Sequence, residues 1–192
     1  MMKNTLYMVL IFNILFGLNA CGDGQKKAET IDSPGKKYNS MIVCTVECSD
    51  TLSQKGVHKH SNGEGHEYSV KIGGTKVSTE FYDGNKSIQL TPKKKYGLAL
   101  TAKNLKAEES YRVSVWRKDE SKLAALVVES LNSKKLYTAK KKVTQTTENG
   151  WEKILIEFEI PKGVNAIKVY SYIASSNLAY FDHLELEKIK LD

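Results

Sequence analysis

From Asp83 onward the chain alternates between apolar and polar side chains. The pattern is clearest in Ile154-Leu155-Ile156-Glu157-Phe158-Glu159-Ile160. It recurs in Ser87-Ile88-Gln89-Leu90, in Tyr111-Arg112-Val113-Ser114-Val115-Trp116, over residues 166–173 and over residues 179–191. A period of two sends successive side chains to opposite faces of an extended strand, so each segment predicts a strand with one buried and one wetter face. Turn-forming residues separate the segments, at Asp83-Gly84-Asn85, Asn149-Gly150 and Pro161-Lys162-Gly163. Short alternating strands between such turns predict an all-β domain, a two-sheet antiparallel β-sandwich or a barrel. No helix, internal repeat or second domain is expected from Tyr38 onward.

The amino terminus follows a different pattern. Lys3 supplies a positive charge, residues 6–18 are an apolar run broken by Asn13, and Leu18-Asn19-Ala20-Cys21 leads into the polar Gly22-Asp23-Gly24-Gln25-Lys26-Lys27. A charged start, a short apolar stretch and a small residue before the cut form the export-signal pattern. The run is shorter than the roughly 20 residues needed to span a bilayer comfortably. The Leu-x-Ala-Cys ending resembles the bacterial lipobox, which implies cleavage before Cys21 and acylation of its thiol. Two or three acyl chains hold a protein firmly on a membrane. Residues 1–20 are therefore read as a lipoprotein signal peptide and 21–37 as a flexible tether beginning at lipidated Cys21. Residues 38–192 are read as the folded domain, held outside the cytoplasm on the outer membrane or cell surface. An ordinary cleaved signal, with Cys21 later joining a disulfide, is the alternative.

Charge and cysteine usage narrow the partners. The formal net charge is +7, nearly all from lysine, since Arg112 and Arg117 are the only arginines. Runs such as Lys93-Lys94-Lys95 and Lys140-Lys141-Lys142 suit solvated turns and guarded strand edges; the sharper reading is affinity for an acidic polysaccharide or anionic lipid. Nucleic acid is not an expected partner of an exported protein. With Cys21 acylated, Cys44 and Cys48 remain, and an exported pair suggests a disulfide. Residues four apart on a straight strand lie about 13 Å apart, too far to bond. Either the chain turns between them or they stay unbonded. His58, His60 and His66 lie near these cysteines and are zinc- or copper-ligating types, but their spacing fits no finger. Neither a nucleophile elbow, a phosphate-cradling glycine loop nor an HExxH helix is present.

Four segments carry a resemblance: Asp83-Gly84-Asn85-Lys86-Ser87-Ile88-Gln89-Leu90; Glu109-Ser110-Tyr111-Arg112-Val113-Ser114-Val115-Trp116; Trp151-Glu152-Lys153 leading to Phe158 and Pro161; and Ala179-Tyr180-Phe181-Asp182-His183-Leu184-Glu185-Leu186. In this order they resemble the strands of jelly-roll, galactose-binding-like sandwiches, which include many carbohydrate-binding modules. Residues 49–82 match nothing in that pattern. If Tyr111, Val113 and Val115 face the core, Arg112, Ser114 and Trp116 face outward. If Ile167 and Val169 face the core, Tyr170 and Tyr172 do not. The resemblance implies that such outward rings line a sugar-binding groove, with Trp116, Tyr170 and Tyr172 as the platform and Arg112 and Glu129 bonding hydroxyls. It also implies a structural calcium with Asp182 as a ligand, for which Glu47 is the chosen partner carboxylate. His183 stands where the family often has a second Asp.

The expected protein is thus a membrane-tethered, non-catalytic lipoprotein whose sandwich captures glycans. A structural or protein-binding lipoprotein is the alternative, and a polysaccharide lyase or hydrolase comes third. The anchor has a direct check: Cys21→Ser is expected to abolish incorporation of labelled fatty acid, and undiminished labelling would refute the assignment.

Overall fold

In the computed structural model the alternating segments form strands, and every pairing between them is antiparallel. The structure describes residues 30–33, 35–46, 57–61, 65–174 and 177–191. Among them are fourteen strands and no helix. They are β1 (Thr30–Ser33), β2 (Lys36–Cys44), β3 (Val57–Ser61), β4 (Glu67–Ile72), β5 (Thr75–Val77), β6 (Ser87–Leu90), β7 (Tyr96–Lys103), β8 (Ser110–Lys118), β9 (Ala125–Ser130), β10 (Tyr137–Lys140), β11 (Val143–Thr146), β12 (Glu152–Glu159), β13 (Ala166–Tyr172) and β14 (Ala179–Leu191).

The first sheet runs β1-β2-β14-β8-β12-β11, and the second runs β10-β9-β13-β7-β4-β3. β14 carries two neighbours on one side. Its first residues pair with β6, which in turn pairs with β5, and residues 184–191 pair with β2. Because each strand is apolar on one face only, the sheets bury those faces against each other. The first sheet contributes Tyr111, Val113 and Val115 from β8, Ile154, Ile156 and Phe158 from β12, and Leu184 and Leu186 from β14. Opposite them lie Leu98, Leu100 and Ala102 from β7, Leu126 and Val128 from β9, and Ile167 and Val169 from β13. This is the two-sheet antiparallel sandwich that the alternation allowed, and it matches the jelly roll that the resemblance implies. The turns also behave as expected: Gly84, Gly150 and Gly163 all adopt positive φ, and Val164 donates its N–H to the Pro161 carbonyl at 3.0 Å.

The amino-terminal half departs from expectation. Among the described residues strand pairing reaches back to Thr30, inside the stretch read as a tether, because β1 pairs with β2. The stretch 49–82, which the pattern left unplaced, contains β3, β4 and β5. Cys44 is a free thiol in the core, and burial pushes its pKa up to about 12. The signal segment, Cys21, Glu47 and Cys48 lie outside the described residues.

The crossing from the first sheet to the second, between β8 and β9, is fixed by a buried charge. Fully buried Arg117 donates to the Ala124 carbonyl at 2.5 Å and to Glu152 Oε2 at 2.7 Å. Lys122 holds the other oxygen of Glu152. Asp119 accepts the Ala124 N–H at 2.7 Å and the Ser121 N–H at 2.9 Å. Removing one partner of a buried pair leaves an uncompensated charge and costs about 3–5 kcal/mol.

Burial raises the pKa of the Glu152, Asp119 and Glu109 carboxyls. In each it is outweighed: by Lys122 and Arg117 at Glu152, by Ser121 and the Ala124 N–H at Asp119, and by Lys188 and Tyr111 at Glu109. The net shift is downward, so these groups stabilise the fold above the ordinary carboxylate range of about 4 and lose that contribution as pH falls through their lowered values. Urea unfolding at stepped pH is expected to show a midpoint that drops below about pH 4, and Glu152→Gln is expected to flatten that drop.

Candidate binding groove

The outer face of the second sheet carries a cluster of tyrosines. Ile167 and Val169 are sunk in the core, which leaves Lys168, Tyr170 and Tyr172 on the other face of β13. Tyr96, at the start of β7, joins them. Its ring centroid lies 5.8 Å from that of Tyr170 and 5.2 Å from that of Tyr172. Two residues of β13 there face three of β7: Tyr170 pairs with Ala99, but Tyr172 pairs with Tyr96. The extra residue is a bulge, and it turns Tyr96 to the side that strict alternation would deny it. Gly97 occupies the bulge because nothing larger fits. A Cβ there would lie 2.5 Å from Ser171 Oγ and 3.0 Å from Leu90.

Beside the rings lies an open groove of about 460 Å³, lined by Lys71, Gly73, Tyr96, Gly97, Ala99, Glu129, Lys168 and Tyr170. Tyr96 is 59% exposed. The Tyr170 hydroxyl donates to Glu129 across a long 3.4 Å. Burial, with the nearby Glu129 carboxylate, pushes its phenol up to about 12, so it stays a protonated donor at neutral pH. The Lys168 ammonium lies 5.0 Å from the Tyr170 ring centre. The groove therefore offers aromatic faces beside donors and one acceptor, a combination suited to a ligand with flat apolar patches and hydroxyls.

The structure divides the platform expected from the sequence. Tyr170, Tyr172 and Glu129 share the outer face of the second sheet, whereas Trp116 and Arg112 lie on β8 in the first. Both of the latter point away from the core, as alternation indicated, yet each is only 4% exposed. Tyr82 stacks on Trp116 at 4.0 Å between centroids and 14° between planes. Arg112 donates to Glu187 at 2.6 Å and packs 3.5 Å from the Tyr38 ring centre. The expectation that Trp116 and Arg112 sit with the tyrosines is corrected: they belong to the opposite side of the sandwich and are covered.

Asp182 explains the cover. It lies directly across from Trp116 on β14 and is fully buried. One carboxylate oxygen accepts the N–H groups of Tyr82 and Asp83, both at 3.1 Å, and the other accepts that of His183 at 2.8 Å. The aspartate thus clamps the loop that places Tyr82 over Trp116. Three converging N–H dipoles present positive ends to this carboxylate and hold the loop against it. Glu47 lies outside the described residues, and no group of three His, Cys, Asp or Glu positioned for a metal occurs among those described. His66 is buried with its Nδ1 donating to the Asn104 carbonyl at 3.1 Å.

Alternation set Lys168 on this face with Tyr170 and Tyr172 but gave it no role, and sequence reasoning missed Tyr96, Lys71 and the glycines Gly73 and Gly97. The one available signal was the aromatic residue following Lys93-Lys94-Lys95.

No protein-family model matches the chain, and no curated protein matches it in sequence. Among solved structures it is similar to a xylan-binding domain of carbohydrate-binding family 22 from Paenibacillus barcinonensis, at 13% identity and a TM-score of 0.47, over 80% of this chain and 96% of that one. It is also similar to the C-terminal family 22 carbohydrate-binding module of a Clostridium thermocellum protein, at 12% identity and 0.47, over 78% and 92%. A third is the N-terminal part of a Clostridium thermocellum endo-1,4-β-D-xylanase complexed with xylohexaose, at 16% identity and 0.47, over 77% of this chain and 28% of that one. The likeness is one of architecture.

Burial separates the two aromatic groups energetically. Trp116→Ala is expected to cost about 3–5 kcal/mol, the range for an emptied aromatic site, whereas Tyr96→Ala is expected to stay within about 0.5 kcal/mol, as for an exposed residue. Urea unfolding of both variants measures the difference.

Proposed function

We propose that the domain holds a carbohydrate chain in the tyrosine groove of the second sheet and does not cleave it. The observation that carries this reading is an open groove lined by the Tyr96 and Tyr170 rings, with Tyr172 packed beside Tyr96, that also holds Glu129 and Lys168. Sugar rings present C–H faces that stack on aromatic side chains, while their hydroxyls donate to a carboxylate and accept from ammonium and phenol. An apolar protein partner would leave Glu129 and Lys168 desolvated and unpaired, at a cost. Cleavage of a glycosidic bond ordinarily uses two carboxylates flanking the bond, and Glu129 is the one carboxylate among the lining residues. The lipid anchor at Cys21 belongs to the same proposal: a tethered module would keep captured glycan at the membrane surface, on the outer membrane or cell exterior.

The test is a glycan array probed with the soluble domain, followed by titration of the best ligand. Tyr96→Ala is expected to weaken binding at least tenfold, equivalent to about 1.4 kcal/mol, with an unchanged melting temperature. A Tyr96→Ala variant that binds as tightly as the parent would remove the groove from consideration.

A further inference from the structure

The groove's lysines are short of partners. Elsewhere on the molecule some lysines meet carboxylates and others do not: Lys36 meets Glu157, Lys118 meets Glu80, Lys122 meets Glu152, Lys162 meets Glu108 and Lys188 meets Glu109, whereas Lys93 and Lys95 meet none among the described residues. Neither Lys71 nor Lys168 has a carboxylate within ion-pair distance among the described residues. The case of Lys168 is the more telling. It stands directly across from Glu129 between β13 and β9, a position where opposite charges commonly pair. Its ammonium lies over the Tyr170 ring instead, while Glu129 takes the Tyr170 hydroxyl.

The register sets the two ammoniums around one ring. Lys71 on β4 faces Ala99 on β7, and Ala99 faces Tyr170 on β13. Lys71 is therefore two strand spacings, about 10 Å, from Tyr170, and Lys168 is two residues, about 7 Å, along the same strand. A sugar stacked on Tyr170 would have one cation across the sheet from it and one along the strand. The chain as a whole carries +7, a field that draws in anions.

We propose that this groove selects a carbohydrate chain bearing fixed negative charges, as uronate carboxylates or sulfate esters, with Lys71 and Lys168 seating the anion and the tyrosines seating the ring. The proposal rests on the reading of the groove as a glycan site and adds the class of glycan. Glu129 is the opposing acid within the groove. It leaves the anion to the two lysine positions and keeps one hydroxyl acceptor for the sugar.

Two matched polymer pairs test it by calorimetry on the soluble domain: polygalacturonate against its methyl ester, and dextran sulfate against dextran. Each pair keeps the backbone and changes the charge. The charged member of at least one pair is expected to bind at least tenfold more tightly, and the pair that responds identifies the anion. Raising salt from about 0.1 to about 1 M, which shortens the screening length from about 10 to about 3 Å, is expected to erode that preference. Lys71→Met and Lys168→Met are each expected to weaken binding of the charged polymer at least threefold. Lys141→Met with Lys142→Met, which removes two charges between β10 and β11, is expected to leave it within twofold.

Equal binding of charged and neutral members, or no binding of either charged polymer, overturns the charge selection. So does an equal loss in the Lys141/Lys142 control, which would indicate attraction to the net charge alone. Tyr96→Ala separates the two readings. If it abolishes binding while the groove lysines are silent, the glycan groove stands and the charge selection falls. If it changes nothing, the groove itself falls.

Discussion

The groove depends on the burial of Ile167 and Val169 in β13. With these two sunk between the sheets, a side-chain period of two drives Lys168, Tyr170 and Tyr172 to the opposite face, and a slip of one residue would exchange the two sets. The slip is blocked on both sides, because β13 is hydrogen-bonded to β7 and to β9 along its length. A strand with both edges occupied is among the stiffest places to mount a binding side chain. Core packing and the layout of the tyrosine face are here one constraint seen from two sides.

The two outer faces of the sandwich have different fates. On the first sheet Arg112 pairs with Glu187 beneath Tyr38, the Tyr38 hydroxyl reaches Glu157 at 3.1 Å, and Tyr82 lies over Trp116. Arg112, Glu187, Tyr38 and Glu157 are satisfied there by one another, while the buried Ser114 hydroxyl, between Arg112 and Trp116 along β8, has no hydrogen-bond partner among the described residues. On the second sheet small residues such as Ala99 and Gly97 form the floor between taller rings, and the face stays open. One sandwich thus has a closed side and a receptive side.

Strand direction was legible in the sequence, and strand surroundings were not. Alternation correctly set Tyr111, Val113 and Val115 inward and Trp116 outward, and it correctly set Tyr170 opposite Val169. It carries no information about which sheet a strand joins, so Trp116 and Tyr170, each outward from its own core face, were grouped although they point to opposite sides of the molecule. Nor does alternation reveal a cover: Tyr82 sits in a loop whose position depends on a buried carboxylate a hundred residues later in the chain. Tyr96 shares parity with Leu98 and Leu100 and reads as a core residue until the bulge at Gly97 reverses it. Lys71 was hidden because β4 and β5 are short and sit among glycines at Gly65, Gly73 and Gly74.

The placement of β14 bears on how the molecule is made. This strand comes late in the chain yet lies in the interior of the first sheet, against β2, β6 and β8. Leu184 pairs with Cys44, about 140 residues earlier, and such distant contacts slow folding because loop closure must precede them. Until residues 179–191 are in place, β2, β6 and β8 each keep an open edge, and the core lacks Ala179, Phe181, Leu184 and Leu186. The first sheet therefore closes only once β14 is in place.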